Sequence, residues 1–273
     1  MASPSQVRYA GSMAVSTNSE PATSASLLVE EEWLAWPGMH GGRVMALSAG
    51  VATGLVDGLP LRAMSTRFLG AVRPGPVEAA AVLDHASRSS ATVTVSLSQD
   101  GRITTLSTCS FTASTGEIVV PARPAPEVPP AEECNDFREA ELLYPFARKL
   151  DIRPATDILP LSGASRAELT AWLRLREPES PLSTMLTLAD AMPPGVYAVL
   201  DMPVPVPSLE ISVHLHRPPT TETLLTGWTL AQQRNVQTGA GISIDECDMW
   251  DEDGRLVAQS RQLRRVLENG SLT

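Results

Sequence analysis

The chain has few aromatic and few basic residues, and it has no long unbroken apolar run. Of its 273 residues 4% are aromatic, and 31 acidic against 21 basic side chains give a formal net charge of -10. Phosphate backbones attract basic surfaces, so this balance argues against a nucleic-acid partner. The longest apolar stretch, Val44 to Leu61, contains three glycines and an aspartate, so it does not predict a membrane span.

Cysteine is scarce, and no secretory leader is recognisable. The three cysteines, Cys109, Cys134 and Cys247, stand in no metal-ligand spacing, which favours free thiols in a reducing compartment. Residues 1–25 are rich in Ser and Ala without a basic start and an apolar core, so they predict a disordered tail. We therefore expect a cytoplasmic protein that uses no metal and no cofactor.

Proline, in contrast, is concentrated in one place. Five prolines lie between Val119 and Ala131, where they favour extended backbone and remove amide donors that a sheet would need. This segment predicts a linker over residues 119–135, which separates one unit at residues 26–118 from a second at residues 136–268.

The two units repeat one order of predicted elements. Each has an opening strand (Leu27 to Trp36; Glu168 to Leu175) and then an apolar helix (Val44 to Val56; Thr184 to Met192, with Ser183 as N-cap). Further strands follow in each unit, and the last two flank an Asp-Gly turn typical of a hairpin. The repeat predicts a duplicated α+β unit. The further predicted strands are Ala63 to Phe68, Val77 to Leu83, Ser90 to Leu97 and Ile103 to Phe111 in the first unit, and Ser208 to His216, Leu224 to Gln233, Gly239 to Met249 and Leu256 to Val266 in the second.

Three segments of the second unit carry a resemblance to a known family. They are LADAMPP at 188–194, SLEISVHLHRP at 208–218 and WDEDGRLVAQSRQ at 250–262. In this order and spacing they resemble the acyl-CoA thioesterase II (TesB-like) family of double-hotdog proteins. The first unit is similar to that family's amino-terminal hotdog in His40-Gly41-Gly42 and in residues 67–75. The resemblance spans roughly residues 27–267.

The resemblance implies a fold and an assembly. The fold is an α+β tandem (double) hotdog, in which two curled antiparallel sheets each wrap a central helix and the two units pack so that their sheets join. Two hotdogs in one chain supply internally the pairing that single-hotdog proteins reach by dimerising. Such chains associate further, so we expect a homo-oligomer, a dimer of double hotdogs.

The resemblance also implies a catalytic trio of Asp190, Ser208 and Gln262. These residues would surround a water that attacks the thioester of an acyl-CoA, which yields a free carboxylic acid and CoA. The family more often has threonine where this chain has Ser208, but both residues supply one hydroxyl. Taken singly, the three have plainer interpretations: an exposed charge at a helix end, the first residue of a strand and a polar strand residue.

Four further residues are expected to contact the substrate. The amides of Gly41 and Gly42, at a helix start, suit an oxyanion, while His40 orients the loop rather than transferring protons. Arg217, at the end of a strand, suits the phosphates of CoA, although it also fits a plain strand terminus.

Two other functions stay open. A non-enzymatic acyl-CoA-binding or scaffolding paralogue would keep the fold with poor turnover. An enoyl-CoA hydratase on a hotdog scaffold would carry an Asp and a His five positions apart, and the sequence contains no such pair. It also contains no Gly-x-Ser-x-Gly elbow, which argues against a thioesterase of the α/β-hydrolase type.

Overall fold

The computed structural model describes residues 23–35, 38–113, 118–177, 179–217 and 227–267. Over these residues the chain forms one antiparallel sheet and three α-helices. The strands are β1 (Thr23–Val29), β2 (Leu61–Phe68), β3 (Gly75–Ala86), β4 (Ser90–Gln99), β5 (Arg102–Thr112), β6 (Leu150–Pro154), β7 (Glu168–Leu175), β8 (Ser208–Leu215), β9 (Thr229–Gly239), β10 (Ile242–Trp250) and β11 (Leu256–Arg265). The helices are α1 (Gly41–Thr53), α2 (Glu139–Leu143) and α3 (Pro181–Leu188), with short 3-10 helices at Glu31–Trp33, Ala131–Glu133, Pro145–Lys149 and Gly195–Ala198.

The eleven strands form a single sheet, so the two curled sheets predicted for the units are joined and not separate. Their order is β1-β3-β4-β5-β2-β8-β11-β10-β9-β7-β6, so the first half of the chain supplies one side of the sheet and the second half the other. The halves join where β2 pairs with β8, with Ala63–Arg67 opposite Glu210–His214. Each of these strands would otherwise be an open edge with unpaired amides and carbonyls, and the pairing satisfies both.

Two helices occupy the inner side of the sheet and contact each other. Helix α1 packs against β3, β4 and β5 and against α3 from the other half. A Cβ at Gly42 would lie 2.7 Å from the main-chain oxygens of both Leu186 and Thr187, so only glycine permits this approach. Gly42 therefore allows the start of α1 to lie directly against the end of α3.

The first unit begins differently from its prediction. Its opening strand is Thr23–Val29, which starts inside the predicted tail, and Glu31–Trp33 is a 3-10 helix rather than strand. The predicted end of that strand, Trp36, lies outside the described residues. Helix α1 is Gly41–Thr53 rather than Val44 to Val56, and it starts at Gly41 with His40 as N-cap, as the resemblance of His40-Gly41-Gly42 implied.

Boundaries in the second unit also shift. Helix α3 is Pro181–Leu188 rather than Thr184 to Met192, because Ser180 is the N-cap and Pro181 needs no amide partner at the first position. The strand predicted from Gly239 begins at Ile242, because Ala240 and Gly241 form a turn with positive φ. The beginning of the strand predicted at Leu224 lies outside the described residues.

The proline-rich segment does more than connect the halves. Trp250 Nε1 donates to the carbonyl of Arg123 (3.1 Å), and Trp172 Nε1 donates to that of Pro129 (2.9 Å). The Arg123 guanidinium also binds the buried Asp248 carboxylate (2.7 Å). These contacts hold the segment against an apolar cluster that includes Trp172, Trp228 and Trp250.

The three cysteines form no disulfide bond. Cys109, Cys134 and Cys247 are free thiols, and burial raises the pKa of Cys109 to about 12. Within the described ranges, no helix has the length and apolar content that crossing a membrane requires. No group of three or more His, Cys, Asp or Glu side chains in those ranges is arranged to hold a metal ion.

Candidate active site

A largely apolar cavity of about 660 Å³ lies where the two halves meet. Its wall includes Gly41 and Phe68 from the first half and Leu169 and Tyr197 from the second. This size and lining suit a small organic ligand with an apolar portion. Four polar residues converge on one part of the wall: His40, Asp190, Ser208 and Arg264.

Asp190 lies immediately beyond the end of α3, with a side chain that is 9% exposed. Its Oδ2 accepts a hydrogen bond from the amide of Gly42 at the start of α1 (3.0 Å). Amides in the first turn of a helix have no intrahelical partner, and the helix dipole favours a negative charge there. The contact between α1 and α3 therefore leaves the buried Asp190 carboxylate on the cavity wall, with Oδ2 held by the Gly42 amide.

Side chains also fix the backbone around Asp190. Ser260 Oγ donates to the carbonyl of Ala189 (3.1 Å), and His40 Nε2 donates to the carbonyl of Asp190 (2.9 Å). The carbonyls of Ala189 and Asp190, just beyond the end of α3, are thereby satisfied. Pro193 and Pro194 follow and prevent the helix from continuing.

His40 is buried beside Asp190, and both of its ring nitrogens form hydrogen bonds with the main chain. Its Nδ1 accepts from the amide of Arg43 (3.3 Å), which requires the proton to be on Nε2, where it reaches the Asp190 carbonyl. Burial lowers the pKa of His40 below its usual 6.5 and outweighs the opposing effect of Asp190. The ring stacks on Phe146, with centroids 4.3 Å apart.

Ser208 reaches the site through a β-bulge. Along β8, Ile211 and Val213 face inward, and strict alternation would turn Ser208 outward. The pairing with β11 shifts by one residue, so that Leu263 is opposite Glu210 but Arg264 is opposite Ser208. The extra residue in β8 returns the Ser208 side chain to the inner face.

Ser208 Oγ connects Gln262 with Arg264. It donates to Gln262 Oε1 (3.2 Å) and accepts from Arg264 Nη1 (3.0 Å). Gln262 is 2% exposed and lies behind Ser208, outside the residues that line the cavity. The structure therefore brings all three members of the predicted trio together, but only Asp190 and Ser208 reach the cavity.

Arg264 is the site residue that the sequence analysis missed. It is 6% exposed, and its Nε donates to Oδ2 of the fully buried Asp245 (3.0 Å). Its Nη2 lies 3.9 Å from Asp190 Oδ1 and makes no hydrogen bond within the described part of the chain. The sequence could have indicated Arg264 as a site residue, because it follows Gln262 by two positions on β11 and so lies on the same face of the strand.

The remaining predicted substrate contacts differ in position. Gly41 lines the cavity, whereas the amide of Gly42 is engaged by Asp190. Arg217 is exposed and follows β8 at the end opposite Ser208. At about 3.3 Å per residue, the two lie roughly 30 Å apart along the strand. The fold does not bring Arg217 to this site.

The curled sheet around packed helices, with a polar site between the halves, defines a hotdog-fold protein. The sequence profile of the acyl-CoA thioesterase C-terminal domain matches residues 121–266, and that of the N-terminal domain matches residues 29–114. The chain therefore belongs to the acyl-CoA thioesterase family. No curated protein gives a significant match.

Solved structures support the same fold. A conserved protein with a hotdog fold from Alicyclobacillus acidocaldarius is 23% identical, with a TM-score of 0.83, over 92% of this chain and 95% of the other. The acyl-CoA thioesterase II TesB2 from Mycobacterium marinum is 19% identical, with a TM-score of 0.73, over 91% and 94%. A TesB protein from Mycobacterium avium subsp. paratuberculosis is 21% identical, with a TM-score of 0.69, over 87% and 94%.

Proposed function

We propose that this protein is a double-hotdog thioesterase that hydrolyses acyl-CoA to a free carboxylic acid and CoA. The units are residues 26–118 and 136–268. The observation that carries the proposal is a buried carboxylate, Asp190, which a helix-start amide holds on the wall of an apolar cavity beside Ser208. The family membership supports the thioester as substrate.

The hydrogen bonds favour direct attack by water. The hydrogen of Ser208 points to Gln262 and one lone pair faces Arg264, so a second lone pair is left for a water in the cavity. Such a water donates one hydrogen to Ser208 and the other to Asp190, and its own lone pair faces the thioester carbonyl. Asp190 is then the general base, while Ser208 and Gln262 orient the water.

The same site can also stabilise the tetrahedral intermediate and protonate the leaving thiolate of CoA. As the water oxygen bonds to the carbonyl carbon, negative charge develops on the carbonyl oxygen. The amide of Gly41, in the first turn of α1 and on the cavity wall, is the donor placed to stabilise this charge. The C–S bond then breaks, and the sulfur of CoA takes up the proton held by Asp190. The acyl chain occupies the apolar part of the cavity.

Assembly and location are further parts of the proposal. The chain would act as a homodimer in the cytoplasm, as expected from its resemblance and composition. Light scattering coupled to size-exclusion chromatography tests the dimer, and a monomeric mass would refute it.

Thiol release from short-, medium- and long-chain acyl-CoA tests the function. Asp190→Asn keeps the shape of the side chain but cannot accept the proton, so we expect turnover to fall by roughly a hundredfold or more. Asp57→Asn, which alters an exposed carboxylate just beyond α1, is the matched control and should keep the wild-type rate. Binding of acyl-CoA without thiol release by the wild type would favour the non-enzymatic alternative.

A further inference from the structure

We propose that Arg264 is a positioning residue for this hydrolysis, which orients the Ser208 hydroxyl and the Asp190 carboxylate through one guanidinium. The inference rests on the proposed function. It starts from the burial of Arg264, which is 6% exposed on the cavity wall, because a guanidinium is rarely removed from water without specific partners.

Asp245 is the partner that fixes the Arg264 guanidinium. Asp245 is fully buried, accepts from Arg264 Nε (3.0 Å) and is held in turn by Asn235 Nδ2 (2.9 Å). A salt bridge that served only the fold would be complete with this contact. Of the two remaining nitrogens, Nη1 donates to Ser208 Oγ and Nη2 lies 3.9 Å from Asp190 Oδ1, and both of these residues reach the cavity.

Arg264 sets the direction in which the Ser208 hydroxyl donates its hydrogen bond. A guanidinium nitrogen can only donate, so Ser208 Oγ must accept from Arg264 Nη1. The serine hydrogen then has Gln262 Oε1 as its acceptor (3.2 Å), and it does not point into the cavity. Without Arg264 the hydroxyl is free to rotate and donate to the attacking water, which would occupy the lone pair that the water needs for attack.

Arg264 also lies close to the Asp190 carboxylate. Arg264 Nη2 lies 3.9 Å from Asp190 Oδ1, too far for a hydrogen bond but close enough for electrostatic attraction. The other oxygen, Oδ2, is taken by Gly42. The carboxylate is thus held from both sides, and Oδ1 stays available to accept the proton of the water.

The test is steady-state kinetics of Arg264→Lys on the best acyl-CoA substrate. Lysine keeps the positive charge beside Asp245. One ammonium cannot contact Asp245, Ser208 and Asp190 from the three positions that the guanidinium nitrogens occupy. We expect kcat to fall roughly tenfold to a hundredfold with little change in KM, because a misplaced water affects the transition state. Arg234→Lys is the matched control, since Arg234 binds the buried Asp248 on the neighbouring strands (3.0 Å), away from the cavity. It should alter stability but not kcat.

Two further measurements separate positioning from a structural role. Added guanidinium should restore part of the kcat of Arg264→Ala, whereas urea, a neutral molecule of similar shape, should not. A double-mutant cycle of Arg264→Lys with Ser208→Ala should be strongly non-additive, because the arginine acts through the serine.

The inference is overturned if Arg264→Lys keeps the wild-type kcat, if it fails to fold while Arg234→Lys folds, or if its effect adds to that of Ser208→Ala. In each of these cases wild-type thiol release still stands, so only the role of Arg264 is lost. If the wild type releases no thiol from any acyl-CoA, the proposed function fails and the inference fails with it.

Discussion

The close contact between α1 and α3 makes Gly42→Ala a sharp perturbation. The new methyl group would lie 2.7 Å from the main-chain oxygens of Leu186 and Thr187 and 2.9 Å from the His40 ring. Backbone oxygens cannot rotate away, so the helices must separate by roughly half an ångström. That movement also lengthens the hydrogen bond from the Gly42 amide to Asp190, which is 3.0 Å in the native protein.

The size of the effect follows from three contributions. Overpacking costs about 1–3 kcal/mol, and weakening a hydrogen bond to a charged group costs up to about 1.5–3 kcal/mol. Replacing glycine by alanine within a helix returns about 1 kcal/mol. We therefore expect a loss of about 2–4 kcal/mol in the free energy of unfolding. For a chain of this size that corresponds to a Tm lowered by roughly 5–15 °C.

Gly50→Ala is the matched control in the same helix. A Cβ there meets nothing within 4 Å, so alanine should leave the Tm unchanged or raise it slightly. Differential scanning calorimetry and thiol release are measured on both variants. Gly42→Ala should lose stability and turnover together, because the displaced amide no longer fixes Asp190. If Gly42→Ala melted and turned over like Gly50→Ala, the reasoning on the helix contact would be refuted.

Two more predictions concern His40 and the proline-rich segment. Burial lowers the pKa of His40 in the folded protein below the usual 6.5. Below pH 6.5 the unfolded state therefore binds more protons than the folded state. The free energy of unfolding should fall as the pH drops below that value, by up to about 1.4 kcal/mol per pH unit. Urea unfolding at several pH values checks this, and His40→Asn should flatten the dependence. Severing the chain between Ala125 and Pro126 should give two insoluble pieces, because each exposes a strand edge, β2 or β8, that the other covers. Co-expression should restore a soluble complex, and two independently soluble, monomeric pieces would contradict this.

Much of the fold could be predicted because its signals are local. Apolar periodicity located α1 and α3, although not the short α2. The turn at Asp100 and Gly101, with φ of 50° and 72°, joins β4 and β5 as its sequence indicated. The boundaries of α3 were less accurate, because Ser180 and Ser183 are both plausible N-caps and only the structure distinguishes them. The pairing of β2 with β8 connects distant parts of the chain, so the residue pattern of neither strand identifies it. The resemblance implied only that the two sheets join, not which strands pair.

The candidate site was predictable in part for the same reason. The resemblance identified Asp190, Ser208 and Gln262, and the structure places them together. Alternation along β8 could not show that Ser208 faces inward, because one bulged residue reverses the face. Arg264 was overlooked because its partner Asp245 lies on another strand, and a charged residue near a strand end is usually exposed.

The central claim is that Asp190 activates a water rather than attacking the thioester itself. A single turnover in water enriched in oxygen-18, with enzyme in excess over acyl-CoA, distinguishes direct attack by water from a mixed anhydride that water hydrolyses at the Asp190 carbonyl. Direct attack by water predicts that the acid released in this first turnover carries the heavy oxygen in its carboxylate. An acid without the label, together with labelled Asp190 in the recovered protein, would contradict the account.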